Sequence, residues 1–339
     1  MLRAASSTLA TRRNGSAQNL PGLLAGVKPS KVKLVPLANP AWSTLINSHW
    51  HQYLAMVLGY LVCLYSDRAT PFRRAIYHET DAELWRYSYP LLPNQVPAQA
   101  VVLLCFTAPF AVILPFYLAG RISRVVAHHG LLQAFAAVVI TGLITNLIKL
   151  NVARPRPDFV ARCWPHGAQR AFTDVGVPIC APDAIDWVEG LKSFPSGHTS
   201  WAASGMAYLT LWLLGALRVF GGAARPTSIA AALCPLCLAA WIGMTRIQDR
   251  WHHTEDVMVG FSLGSTIAYL CYRAVHCPVS GPHAGALTAL AVPDEGAGAG
   301  PSISREPSFA QMAAAAGVGV PLQPVRYNPL VETTPEETV

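Results

Sequence analysis

Apolar residues in this chain gather into six long stretches, at about 50–66, 97–119, 126–149, 197–219, 228–246 and 254–273, separated by polar or basic connectors. Each is close to the roughly 20 apolar residues that an α-helix needs to cross a bilayer core. The pattern therefore predicts an all-α membrane bundle of six transmembrane helices. The first stretch is the weakest, because His51 and Gln52 stand at its start and its dense apolar run is short. Arg121 and Arg124 mark the turn after the second helix, and Arg218 and Arg225 the turn after the fourth. Basic residues favour the cytoplasmic side of a membrane, which places both turns and both chain ends there. The connectors 67–96, 150–196 and 247–253 then share the opposite face.

The flanks read differently. Arg3, Arg12, Arg13, Lys28, Lys31 and Lys33 stand among Ser, Thr and Ala, and the first acidic residue is Asp67. An organelle transit peptide has this composition, and so does a cytoplasmic arm. The expectation adopted is a basic cytoplasmic arm over 1–49, leading into a membrane domain over 50–276. The expected location is the endoplasmic reticulum or plasma membrane, with an organelle membrane as the alternative. Beyond 277, Ala, Gly, Pro, Ser and Glu prevail with little apolar periodicity, which predicts a disordered tail over 277–339.

Composition supports the membrane reading. The 339 residues are 52% apolar and 13% charged, where a soluble domain carries about 25% charged residues; the mean hydropathy is +0.33. The net charge is +7, but Lys and Arg form no dense block, so no nucleic-acid partner is expected. Cys63, Cys105, Cys234, Cys237 and Cys271 lie in apolar runs and read as packing residues. Cys234 and Cys237 have CxxC spacing without a second Cys/His pair nearby, which supports neither zinc nor redox chemistry. Cys163 and Cys180 share a polar connector on the face where disulfides persist. A bridge is expected there, closing a loop that would contribute roughly 3 kcal/mol.

Three polar clusters interrupt the pattern at helix ends. Lys149, Asn151, Arg154, Pro155, Arg156, Pro157 and Asp158 close the third helix; Ser193, Phe194, Pro195, Ser196, Gly197, His198 and Thr199 open the fourth. Thr245, Arg246, His252, His253 and Asp256 join the fifth to the sixth. Helix parity puts all three clusters on one side. Cations this close to hydrocarbon are costly unless functional. Lys149, Arg156 and Arg246 supply fixed positive charge suited to an anionic group. Ser196 and the backbone N–H of Gly197 add donors near a helix N-terminus, which favours anions. With three cations present, Mg²⁺ is not required and no cofactor is expected.

These residues resemble the type 2 phosphatidic acid phosphatase (PAP2) superfamily, whose pattern is Lys-x6-Arg-Pro, Pro-Ser-Gly-His and Ser-Arg-x5-His-x3-Asp. Lys149 stands seven before Arg156, residues 195–198 are intact, and Arg246, His252 and Asp256 fall in register. Thr245 replaces the pattern's Ser and keeps the hydroxyl. The surroundings, over roughly 50–280, look closest to the eukaryotic lipid phosphate and diacylglycerol pyrophosphate phosphatases.

His252 and Asp256 are four residues apart and share a helix face if the sixth helix starts by Asp256. The carboxylate is then expected to bond one ring nitrogen and orient His252 as nucleophile, as in catalytic triads. His198 would be the general acid for the leaving oxygen and later the base for water. The resemblance implies the same roles, and only its spacing chooses His252 over His253. An H-x3-D metal site lacks a third ligand, and the nearby Arg and Lys would repel a cation. Arg154 reads as a fourth phosphate contact or as a headgroup contact; Lys192, Asp158 and Asp249 read as pocket-shaping residues.

The expected activity is hydrolysis of phosphatidate, lysophosphatidate or diacylglycerol pyrophosphate through a phosphohistidine, with the bilayer and a lipid phosphate as partners. A phosphatase for sphingoid-base or polyprenyl phosphates is the alternative, as is a non-catalytic lipid-binding relative. The sequence does not fix an oligomeric state.

Overall fold

A computed structural model describes residues 32–34, 40–76, 84–221 and 225–293. Most of residues 1–49 and the chain beyond 293 lie outside the described residues, and with them most of the expected arm and tail. Among the described residues, six helices of 19 residues or more form the bundle: α2 (Trp50–Arg68), α3 (Ala98–Leu118), α4 (Arg124–Val152), α7 (Gly197–Ala216), α8 (Pro226–Gln248) and α9 (Thr254–Val275). A short helix, α1 (Trp42–Ser48), precedes them, and α5 (Phe159–Cys163) and α6 (Trp187–Gly190) lie in the long connector. Among the described residues, three helices, α3, α4 and α8, are long and apolar enough to cross a membrane.

Position in the bundle explains the polar side chains of α7. Helix α7 packs against α3, α4, α8 and α9. Thr199, Ser200, Ser204 and Thr210 are buried along it, so its polar side chains meet protein rather than lipid. Two α9 glycines one turn apart permit the α7–α9 contact. A Cβ on Gly264 would stand 2.2 Å from the Ser200 carbonyl, and one on Gly260 would stand 2.8 Å from the Ser196 carbonyl. Small residues that let helix backbones touch are the usual device of membrane bundles. Their consequence here is functional: the α7 and α9 N-termini are held together, and Ser196 N–H donates to the Asp256 carbonyl at 3.0 Å.

The opposite end carries the described residues nearest the two chain ends. Strand β1 (Val32–Leu34) pairs antiparallel with a strand at Ala291–Pro293, and Arg124 donates to the Pro40 carbonyl at 3.2 Å. Residues 277–293, the described part of the expected tail, depart from the predicted disorder. His276 bridges to Leu287, Cys277 N–H donates to the Ala286 carbonyl at 2.9 Å, and Leu287 is buried with Leu45 and Val125. One apolar anchor and a few backbone bonds secure this segment, and neither produces the periodicity by which sequence patterns reveal order.

Candidate active site

Helix α4 ends where the phosphate chemistry is expected to begin. Ala153 adopts a left-handed conformation and its N–H returns to the Lys149 carbonyl at 3.1 Å. Pro155 then disfavours helical geometry at Arg154. Lys149 is thus left in the last turn, buried, with its ammonium 3.0 Å from where a Gly197 Cβ would stand. Glycine is the residue that gives that ammonium room. Arg156 lies just beyond, 2% exposed, with its guanidinium 4.9 Å from the Trp251 ring centre. Its Nη2 pairs with Glu189, while Nε and Nη1 are buried without a hydrogen-bond partner among the described residues. Buried donors are normally satisfied, so these N–H groups, on two different edges of the guanidinium, stay open to the oxygens of an incoming anion.

Ser196 caps α7. Its Oγ accepts from Thr199 Oγ1 at 2.9 Å and from Thr199 N–H at 3.4 Å. Its contribution is therefore to aim the helix N-terminus, with Gly197 N–H in the first turn. His198 follows, and its ring Nε2 lies 3.1 Å from the Val96 carbonyl. A carbonyl only accepts, so Nε2 holds a proton and Nδ1 is the exchangeable nitrogen. Arg246, Lys149 and Arg156 are the cationic neighbours of this ring, and the neutral His252 lies close to it as well.

His252 sits between α8 and α9 and is 2% exposed. Its Nδ1 lies 2.7 Å from the Ser193 carbonyl oxygen, so Nδ1 donates and, in the neutral ring, Nε2 carries the lone pair. The direct bond to Asp256 expected from the sequence is not formed: Asp256 Oδ2 stands 3.9 Å from Nδ1. Helix capping is the reason. Asp256 is the third residue of α9, and its carboxylate turns back to accept the His253 N–H at 3.0 Å. It also accepts from Arg154 Nη1 at 2.7 Å and Ser193 Oγ at 2.5 Å. Arg154 thus holds the aspartate and serves as an orienting residue. Burial pushes the His252 pKa down to about 4, while Asp256 pulls it upward. The rival His253 directs its Nε2 to the Pro155 carbonyl, 3.2 Å away.

Sequence reasoning missed Glu189, Asn94 and Gln95. Glu189 pairs with Arg156 and lies 4.0 Å from Lys192 Nζ. Burial raises its pKa, but Arg156, Lys149 and Lys192 outweigh this and hold it below the ordinary carboxylate value. Lys192 is anchored to the Asp67 carbonyl at 2.5 Å, and Asp158 forms a buried two-pronged pair with Arg162 at 2.9 and 2.8 Å. The connector carrying α5 and α6 is closed by a bond between the sulfurs of Cys163 and Cys180. Among the described residues, no group of three or more His, Cys, Asp or Glu is arranged to hold a metal ion.

The PAP2 superfamily pattern matches residues 130–277, a span containing Lys149, Arg156, His198, Arg246, His252 and Asp256. Lipid phosphate phosphatase 2 of Arabidopsis thaliana is 38% identical over 247 residues, covering 71% of this chain and 83% of the relative. Lipid phosphate phosphatase 1 of the same plant is 34% identical, covering 67% and 68%. The probable diacylglycerol pyrophosphate phosphatase 1 of Schizosaccharomyces pombe is 34% identical over 256 residues, covering 74% and 88%. By sequence, by the extent of these matches and by the helix ends that carry its motifs, this chain belongs to the PAP2 superfamily.

Proposed function

We propose that this protein is a six-span membrane phosphatase that hydrolyses lipid phosphates, phosphatidate and diacylglycerol pyrophosphate among them, through a phosphohistidine and without a metal. The observation that carries the reading is the His252–Ser193 hydrogen bond at 2.7 Å, which leaves Nε2 as the ring's free nucleophile. The two unpartnered donors of buried Arg156 support it, because they offer an oxyanion a prepared seat.

In the first step, His252 Nε2 forms a bond to phosphorus as the bond from phosphorus to the lipid oxygen breaks. Protonated His198 gives its Nδ1 proton to that leaving oxygen. In the second step, water attacks the phosphoryl group on His252, His198 Nδ1 takes the water's proton, and the P–N bond breaks to release phosphate. Lys149, Arg156 and Arg246 balance the charge on the equatorial oxygens, the part that divalent metals play in other phosphoryl-transfer enzymes. A bilayer-embedded bundle presents this site at the ends of α4, α7 and α9, where a headgroup lies while its acyl chains remain in lipid.

Phosphate release from phosphatidate and diacylglycerol pyrophosphate micelles in EDTA, with wild type and His252→Ala, tests the proposal. Activity in the wild type and none in His252→Ala is expected. Wild-type activity that appears only on adding Mg²⁺ would overturn the metal-independent reading, and full activity in His252→Ala would move the nucleophile elsewhere.

A further inference from the structure

The connector ahead of α3 belongs to none of the three motifs, yet residues 92–96 touch the site at four points. Trp251 Nε1 donates to the Leu92 carbonyl at 3.1 Å, and Arg246 Nη1 donates to Asn94 Oδ1 at 2.6 Å. The backbone and side-chain amides of Gln95 donate to Asp249 at 3.0 and 2.6 Å, and His198 Nε2 donates to the Val96 carbonyl at 3.1 Å. This strap is a wall of the site built from single polar contacts.

Its contact with Arg246 decides where that side chain can act. Arg246 is wholly buried, and its Nε and Nη2 donate to Thr245 Oγ1 at 3.1 and 2.9 Å, with Nη2 also reaching Asp249 at 2.9 Å. A guanidinium has five N–H groups. These contacts and Asn94 engage four, which leaves one N–H, on Nη1, for a ligand. The Asn94 oxygen therefore sets the direction of the remaining donor.

Charge matters as much as direction. Of the buried cations Lys149, Arg156, Lys192 and Arg246, the last three are met in ion-pair contact by two carboxylates, Glu189 and Asp249. Four positive charges against two negative leave two, which suits the roughly −2 charge of a phosphate monoester. A third carboxylate at position 94 would halve that excess.

We propose that Asn94 is a positioning residue for phosphate binding: its neutral amide oxygen aims the last free N–H of Arg246 without cancelling the guanidinium charge. The inference rests on the phosphate-site reading above. Its test compares full-length Asn94→Asp, Asn94→Ala and wild type by kcat and KM on phosphatidate micelles, by inhibition with orthophosphate and by thermal unfolding. Asn94→Asp keeps an acceptor for Arg246, so a merely structural tie would survive it with wild-type kinetics. The expected result is an unfolding temperature equal to wild type or higher, with KM and the orthophosphate inhibition constant raised about tenfold or more. Asn94→Ala is expected to lower kcat/KM by a similar factor, and Asn94→Ser, which restores a neutral acceptor, to recover part of it. Wild-type KM and phosphate inhibition in Asn94→Asp would overturn the proposal. If Asn94→Asp does not fold, the Ala and Ser variants decide, and equal kinetics in both would overturn it. Orthophosphate protection against unfolding separates this inference from the activity. Protection of wild type but not of Asn94→Asp supports it even if no lipid phosphate is hydrolysed, and equal protection of both contradicts it, as does protection of neither.

Discussion

Ser193 holds His252 and Asp256 at once: its carbonyl accepts the His252 Nδ1–H at 2.7 Å, and its hydroxyl donates to the Asp256 carboxylate at 2.5 Å. One residue leading into α7 thereby fixes the ring and the carboxylate at the start of α9, and the two are coupled through it across a 3.9 Å gap. Asp256 acts on His252 by charge and by capping the helix, and the orienting hydrogen bond comes from the backbone.

Removing the Asp256 charge tests that division. Asp256→Asn leaves the Ser193 carbonyl in place but loses the Arg154 ion pair and the charge that stabilises a cationic ring. A fall in kcat approaching about 10⁴ is expected, the loss seen when a triad aspartate is replaced. Ser193→Ala keeps the carbonyl and two of the three Asp256 contacts, so its fall in kcat should be smaller, about tenfold. Steady-state kinetics on micellar substrate distinguish the two, and equal losses would contradict the account.

The pKa of His252 sets a second expectation. Burial depresses it to about 4 from 6.5, so the ring stays neutral throughout the physiological range, as the proposed nucleophile must. Between pH 6.5 and 4 the unfolded chain binds a proton that the folded ring refuses, and this residue therefore makes the protein less stable on acidification. Imidazole NMR, assigned by comparison with His252→Ala, should find the midpoint near 4. A midpoint near 6.5 would contradict the burial argument.

Gly197→Ala probes the seat of Lys149. The new Cβ would stand 3.0 Å from Nζ and 3.5 Å from Cε, the movable end of a long side chain. The bundle should therefore keep its unfolding temperature while the ammonium is displaced. KM should rise by roughly 5–20-fold, since a misplaced contact of about 1 Å is costly in a positioned site. Unchanged KM would remove Lys149 from phosphate binding.

The connector bridge gives a stability prediction. Cys163 and Cys180 are 17 residues apart in sequence, and closing a loop of that size is worth about 3 kcal/mol. The double replacement by Ser should lower the unfolding temperature. KM should rise with it, because Glu189 and Arg156 both depend on the packing of α5 and α6. Peptide mapping without reductant checks the bond, and free thiols at both positions would contradict it.

Much of this was legible in the sequence, for a physical reason. Long apolar runs announce helices, and the helices α2, α3, α4, α7, α8 and α9 fall within a few residues of the predicted stretches. Motif spacing likewise brought Lys149, Arg156, His198, Arg246 and His252 to one end of the bundle. Hidden contacts were those made by the backbone or by single residues far away in the chain. The Arg154–Asp256 pair spans 102 residues and the Arg246–Asn94 pair 152, and neither obeys a helical period. The Ser193 carbonyl has no side-chain signature at all, which is why spacing alone assigned its hydrogen bond to Asp256. Glu189 gave no signal either, as a lone carboxylate in a polar connector.

The central claim is that His252 carries the phosphoryl group, and trapping that intermediate tests it most directly. Wild type and His252→Ala would be mixed with phosphatidate labelled with ³²P in its phosphate group, quenched in alkali within one turnover and digested for peptide mapping. The account predicts alkali-stable, acid-labile label on the peptide containing His252, and none on that peptide in the variant. Label on another residue, or turnover in the wild type with no trapped phosphopeptide at any quench time, would contradict it.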